Sequence, residues 1–229
     1  MIKYSTGTVF NVECDARVNT VNCLGVMGAG IALEYKLRYP EMFEEYKEKC
    51  LKKFIKLGKV DYWSTNQEII VNFPTKYDFR YPSELKWIEY GLIDFLDTYK
   101  TLNINRVAFP KLGVGNGELD WIDVKRLMEM YLNDIELEVI ICLDEDKKAS
   151  GKELDMVTAF NKINLENTCK KINLTKKQIM KLNDSRPITR FRELLSVNSI
   201  GAKSYENLFR YFFNENHDDE YIEIEFDLS

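Results

Sequence analysis

Six short apolar runs, IKYST, ARVNTVN, VDYWST, EIIVNFP, RVAFP and LEVIICL, are spaced through the first 145 residues and separated by stretches of helical periodicity. Strands that alternate with helices in this way fit an α/β layered fold, a sheet covered by helices. The helical stretches are GIALEYKLRYPEMFEEYKEKCLKKF, interrupted at Pro40, then ELKWIEYGLIDFLDTYKTL and WIDVKRLMEMYLND. In the second of these, Leu85, Ile88, Leu92, Phe95 and Leu96 recur at helical spacing and are expected to form its buried stripe. Apolar residues then vanish in DEDKKASGKE, residues 144–153, where a linker is expected. The domain organisation read from this pattern is residues 1–148, an all-helical region at 154–213, and an acidic tail at 214–229 that contains the strand-like EYIEIEF.

The chain has 229 residues, 45% of them hydrophobic, enough for a full core. No apolar run reaches the roughly 18–20 residues of a membrane span, and MIKYSTGTVF lacks the order of a signal peptide. A cytoplasmic, monomeric protein without a membrane partner is expected. Five scattered cysteines with no CxxC pair and a single histidine, His217, argue against a metal centre. The net charge of −5 is unevenly spread: residues 151–212 carry 12 basic and 6 acidic side chains, whereas residues 213–229 carry 7 acidic and no basic ones. The local field of the basic region leaves nucleic-acid binding open.

Two glycine-rich stretches follow strands and lead into helices. The first is NTVNCLGVMGAGIA, residues 19–32, and the second PKLGVGNGELDW, residues 110–121. Glycines at such joints let backbone N–H groups approach a ligand, and a helix N-terminus favours phosphate. Neither stretch is a Walker or GxGxxG sequence. Two such loops at strand ends suggest a diphosphate held from both sides, although either could also be a tight turn. Asn19 and Asn22 could line the ligand or satisfy loop backbone groups.

The order VNTVNCLGVMGAGIALEYKLRYPEMFEEYKEKC, then IVNFPTK, then RVAFPKLGVGNGELDW resembles the macrodomain family, specifically the branch containing DarG antitoxins and terminal ADP-ribose protein glycohydrolase. The resemblance implies a three-layer α/β/α fold with a mixed sheet that binds ADP-ribose without a cofactor. It implies that Asn19 and Asn22 line the distal ribose, with Gly28, Ala29, Gly30 and Ile31 beside it. Gly113, Val114, Gly115, Asn116 and Gly117 would wrap the diphosphate from the other side. Lys76 matches the lysine that this branch uses catalytically, and an amine with a lowered pKa can act at the anomeric carbon. Where the protein glycohydrolase has an aspartate supporting that lysine, this chain has Gly117, as DarG-like sequences do. Asp120 is expected to cap the helix that follows. Thr8 stands where many macrodomains carry an adenine-recognising aspartate.

Beyond Lys76, KYDFRYPSELKW offers Tyr77, Phe79, Arg80 and Tyr81, suited to base stacking and phosphate contact, or equally to folding back on the core. The segment from Ile172 to Phe213 resembles the second half of an HRDC domain, through RP, ELL and IGAKSYENL. On that resemblance Lys176, Lys177, Arg190, Arg192 and Lys203 are candidate phosphate contacts; a helical appendage packed on a partner is the other reading. Together these features predict a hydrolase that removes ADP-ribose from thymidine in single-stranded DNA, with a cognate ADP-ribosyltransferase toxin as a possible partner. The alternatives are a hydrolase acting on glutamate or aspartate side chains and a non-catalytic ADP-ribose reader.

Overall fold

The computed structural model describes residues 1–214, the side chains of 169 and 170 excepted. The acidic tail, with His217 and EYIEIEF, lies outside the described residues. The chain divides into two compact units at the 145/146 boundary.

The first unit is a six-stranded sheet in the order β1-β6-β5-β2-β4-β3. Its strands are β1 (Ile2–Ser5), β2 (Ala16–Asn22), β3 (Asp61–Ser64), β4 (Ile69–Lys76), β5 (Arg106–Pro110) and β6 (Glu138–Cys142). Every pairing is parallel except β3 with β4, so the sheet is mixed. Alternate residues of a strand face opposite sides, and both sides here are apolar. On one side Val18, Val71, Phe73, Val107, Phe109, Val139 and Ile141 pack with Ile88, Leu92 and Phe95 of α3 (Leu85–Thr98) and with Val124, Met128 and Leu132 of α4 (Trp121–Leu132). On the other, Val21, Ile70, Ala108 and Cys142 meet Tyr35 of α1 (Gly30–Arg38) and Met42, Tyr46 and Cys50 of α2 (Pro40–Leu51). The result is three layers, α/β/α.

Local sequence explains the helix boundaries. Pro40 has no N–H to donate and cannot continue α1, but it suits the first position of α2, where the chain restarts. Of the stripe expected on α3, Ile88, Leu92 and Phe95 are fully buried, but Leu85 is exposed because it begins the helix at the edge of the layer.

The second unit is helical: α5 (Lys152–Lys162), α6 (Leu165–Ile172), α7 (Lys176–Asp184), a 3-10 turn at Phe191–Ser196 and α8 (Ala202–Asn214). Phe160, Phe191, Phe209 and Phe212 form its aromatic centre, with Phe160 and Phe212 rings 5.7 Å apart edge to face. Asn161 exchanges two hydrogen bonds with the Ile188 backbone, tying α5 to the loop before the 3-10 turn. Beside it the guanidinium of Arg190 donates to both carboxylate oxygens of Glu153, each at 3.1 Å, and to the Asp146 carbonyl at 2.6 Å. Glu153 also accepts the Phe191 N–H. No helix among the described residues is long and apolar enough to cross a membrane.

Removing one member of a buried, hydrogen-bonded ion pair strands the other charge. Glu153→Ala is expected to destabilise the helical unit by about 3–5 kcal/mol, read as a lowered urea midpoint; an unchanged midpoint would refute the structural role assigned to the pair.

Candidate active site between two glycine loops

Three loops leave the carboxyl ends of the adjacent parallel strands β5, β2 and β4, where open α/β sheets hold their ligands. Lys76 is the last residue of β4 and pairs across the ladder with Asn22, just past a register shift between Val21 and Asn22. Such an irregularity bends the strand and re-aims its side chains. Lys76 is only 8% exposed. Its Nζ donates to the Asn116 carbonyl at 2.5 Å and lies 3.5 Å from the Phe79 carbonyl. Loss of solvation pushes the Lys76 pKa below the ordinary lysine value, while the carboxylates of Glu118 and Asp78 pull it back up. Burial dominates, so the neutral amine is more accessible here than on a surface lysine.

Asn116 belongs to a tightly stitched second glycine loop. The Leu119 N–H donates to the Gly113 carbonyl and the Glu118 N–H to the Gly115 carbonyl, both at 3.1 Å, while Ser83 N–H donates to Gly117 at 2.8 Å. A Cβ on Gly117 would stand 2.2 Å from the Gly113 oxygen and 2.6 Å from Ser83 Oγ. This loop therefore has no room for a side-chain carboxylate at Gly117. The carboxylates that act on Lys76 come instead from Glu118 and Asp78, which the sequence reading missed; Glu118 lies one residue beyond the glycine that drew attention. Val114 packs against the core, whereas Gly115 faces open space.

The first glycine loop meets the second directly. Gly30 opens α1 with φ +57°, and a Cβ there would lie 2.8 Å from Asn116 Nδ2. Ala29, extended at the N-cap, offers no side-chain cap, and no acid occupies the first turn of Gly30, Ile31 and Ala32. The N-terminal donors and positive dipole end of α1 thus point into the junction between the loops. Gly28 has only Val26 nearby, at 3.7 Å from the place of a Cβ.

The two asparagines behave differently. Asn22 organises its own loop: Nδ2 donates to the Val26 carbonyl, and Oδ1 accepts from the Leu24 N–H at 2.9 Å. That is the backbone-satisfying role left open by the sequence. Asn19 is fully buried beneath Met27 and donates to Asn72 Oδ1 at 3.1 Å, while Asn72 donates to Asp61. Its own Oδ1 has no partner. Thr8 bonds Asn11 and the Phe10 N–H within a turn. Asp120 caps α4 through the Ile122 N–H at 2.7 Å.

The loop after Lys76 does not fold back on the core. Tyr77, Phe79 and Tyr81 are 59%, 47% and 64% exposed. Arg80, exposed, clamps the buried Asp78 in a forked ion pair and lies 5.8 Å from the Phe79 ring centroid. In the helical unit, Gln178 Nε2 donates to Ser199 O at 3.0 Å and to Ser204 Oγ at 2.9 Å, fastening the first turn of α7 to that of α8. The exposed Lys176, Lys177 and Lys203 consequently share one neighbourhood. Arg192 is exposed as well. Arg190 is corrected: its side chain is 7% exposed and bound to Glu153, because it closes the unit's interior and is not presented to solvent. No group of histidines, cysteines and acids suited to a metal ion occurs among the described residues.

Residues 18–128 match the family described as Macro domain. The chain is 46% identical over 146 residues to a DNA ADP-ribosyl glycohydrolase of Mycobacterium tuberculosis (strain ATCC 25618 / H37Rv), covering 62% of this chain and 42% of the relative. It is 34% identical over 140 residues to a protein of the same name from Thermus aquaticus, covering 59% of this chain and 39% of the relative. The chain thus spans about two fifths of the length of the curated relatives it matches. Among solved structures it resembles the macrodomain of Mycobacterium tuberculosis DarG, with TM-score 0.59 and 46% identity, covering 62% of this chain and 97% of that one. It also resembles Thermosipho africanus DarTG in complex with ADP-ribose, with TM-score 0.60 and 32% identity, covering 67% of this chain and 44% of that one. The family match and the 46% identity to a macrodomain covered to 97% of its length show that the chain belongs to the macrodomain family.

Proposed function

We propose that the chain is a glycohydrolase that removes ADP-ribose from a nucleobase, thymine, in single-stranded DNA. The observation that carries this reading is the position of Lys76, a desolvated amine at the junction of two loops shaped for a diphosphate. The names of the relatives from Mycobacterium tuberculosis and Thermus aquaticus, DNA ADP-ribosyl glycohydrolases, support DNA as the substrate.

In this mechanism the donors at the start of α1 (Gly28 to Ile31) and the loop from Gly113 to Gly117 hold the diphosphate, which places the distal ribose over Lys76. Asn22 supports the first loop, and Asn19, buried beneath Met27, supports it from below. Neutral Nζ attacks the anomeric carbon; the Nζ–C1″ bond forms as the bond from C1″ to the base nitrogen breaks, and the base nitrogen takes up a proton. The resulting N-glycosylamine opens to its iminium, water adds to C1″ and the amine is expelled, returning free Lys76 and ADP-ribose. No metal or cofactor enters. The exposed Tyr77, Phe79 and Tyr81 stack unpaired bases at the mouth, with Arg80 beside them. The helical unit, HRDC-like in sequence, retains the strand through phosphate contacts from Lys176, Lys177, Lys203 and Arg192. The work is that of a monomer in the cytoplasm, opposite a cognate ADP-ribosyltransferase, a pairing suggested by the fused transferase–glycohydrolase of Thermosipho africanus.

Release of ADP-ribose from an ADP-ribosylated thymidine oligonucleotide tests this directly. The native chain should release it and Lys76→Ala should be slower by roughly 10²–10⁴-fold with ADP-ribose binding retained. Release from modified protein but not from modified DNA would overturn the substrate, and binding without any release would leave a reader.

The electrostatics of Lys76 generate a second expectation. Because Glu118 raises its pKa, Glu118→Gln should lower that pKa further and enlarge the neutral fraction at a given pH. The rising limb of kcat against pH is expected to move to lower pH; a shift upward, or none, would contradict the nucleophilic role of the neutral amine.

A further inference from the structure

The end of α2 carries an exposed strip that the pocket does not use. After Leu51 the chain reads Lys52, Lys53, Phe54, Ile55 and Lys56. Lys53 takes a left-handed conformation, φ 60°, and the turn is pinned by Lys53 N–H to Cys50 O and Phe54 N–H to Lys49 O, both at 2.9 Å. This geometry buries Ile55 and turns Leu51 and Phe54 outward, where they are 77% and 68% exposed. Neighbouring lysines are occupied: Lys49 pairs with Glu45 and Asp61, and Lys52 with Glu48. Lys53 and Lys56, exposed, form no ion pair among the described residues.

The strip is tied through the first glycine loop to the loop that follows Lys76. Cys23 joins the two, since its N–H donates to the Tyr77 carbonyl at 2.9 Å and its thiol meets the backbone of Leu57. Gly25 lies against α2, a Cβ there being 3.4 Å from Cys50 Cβ. Leu24, between Cys23 and Gly25 in the chain, is 41% exposed. Backbone contacts at Cys23 and Gly25 therefore tie the loop that carries the exposed Tyr77 and the exposed Leu24 to the end of α2, where Phe54, Lys53 and Lys56 are exposed. Lysine is depleted at protein interfaces, whereas aromatics among cations are the usual platform for single-stranded nucleic acid.

We propose that this strip binds the unpaired DNA flanking the modified base, with a base stacked on Phe54 and phosphates met by Lys53 and Lys56. The inference rests on the reading of the pocket as a DNA hydrolase and specifies how the strand leaves it.

The test uses the full chain and a short fluorescent oligothymidylate without modification, titrated at several salt concentrations. Lys53→Glu combined with Lys56→Glu should weaken binding roughly tenfold at low salt and reduce the salt slope by about 1.4, since each phosphate contact on a single strand contributes about 0.7. Phe54→Ala should weaken binding at least about fivefold with the slope unchanged, which separates stacking from charge. Free ADP-ribose should bind all variants equally, because the pocket is untouched. Undiminished oligonucleotide affinity and slope would overturn the proposal and leave the strip to a protein partner. An equal loss for ADP-ribose would overturn it too, placing the effect in the pocket. Should the native chain release no ADP-ribose from modified DNA, the DNA-hydrolase reading fails, while the oligonucleotide titration still decides whether the strip holds a strand.

Discussion

The hydrogen bond from the Lys76 amine to the Asn116 carbonyl links the two halves of the site, and much of the first unit serves to make it possible. The lysine must end a central strand, so β4 runs buried through Val71, Asn72 and Phe73 before it emerges. The acceptor must be a backbone oxygen held still, so the second glycine loop is cross-linked to itself and to Ser83. Gly117 has no room for a side chain, and Gly30 lets α1 begin within reach of Asn116. A side-chain acceptor in place of the carbonyl would carry its own rotamer freedom and, if a carboxylate, would hold the amine protonated.

That choice sets the electrostatics of the proposed chemistry. Burial lowers the lysine pKa, and two carboxylates temper the shift without touching the amine. Asp78 is itself neutralised by the fork of Arg80, which holds its carboxyl below the usual range. The same pair pins the turn from which Tyr77, Phe79 and Tyr81 project. Amine chemistry and the aromatic rim are thus coupled through one short loop.

The layered fold was legible because its strands are apolar and its helices periodic: RVAFP is β5 residue for residue, and Pro40 divides α1 from α2 as expected. Resemblance in the glycine loops and around Lys76 directed attention to the residues of the candidate site. Tertiary facts were hidden. No local pattern distinguishes Arg190 from other basic residues of the helical unit, yet Glu153, 37 positions away, draws it inward. The acceptor for Lys76 is a main-chain oxygen, which residue type cannot reveal. Asn72 and Asp61, which complete the chain of hydrogen bonds under Asn19, lie on separate strands and meet only through register. Phe54 reads as part of a helix until the backbone of Lys53 turns left-handed and exposes it.

The central claim is that Lys76 itself forms a bond to the anomeric carbon. Turnover of ADP-ribosylated oligonucleotide in the presence of cyanoborohydride, followed by peptide mass spectrometry, tests it most directly. The account predicts a reduced ADP-ribosyl adduct on the peptide containing Lys76 and on no other lysine of the first unit. Full turnover with that peptide unmodified would contradict it and assign the attack on the anomeric carbon to water.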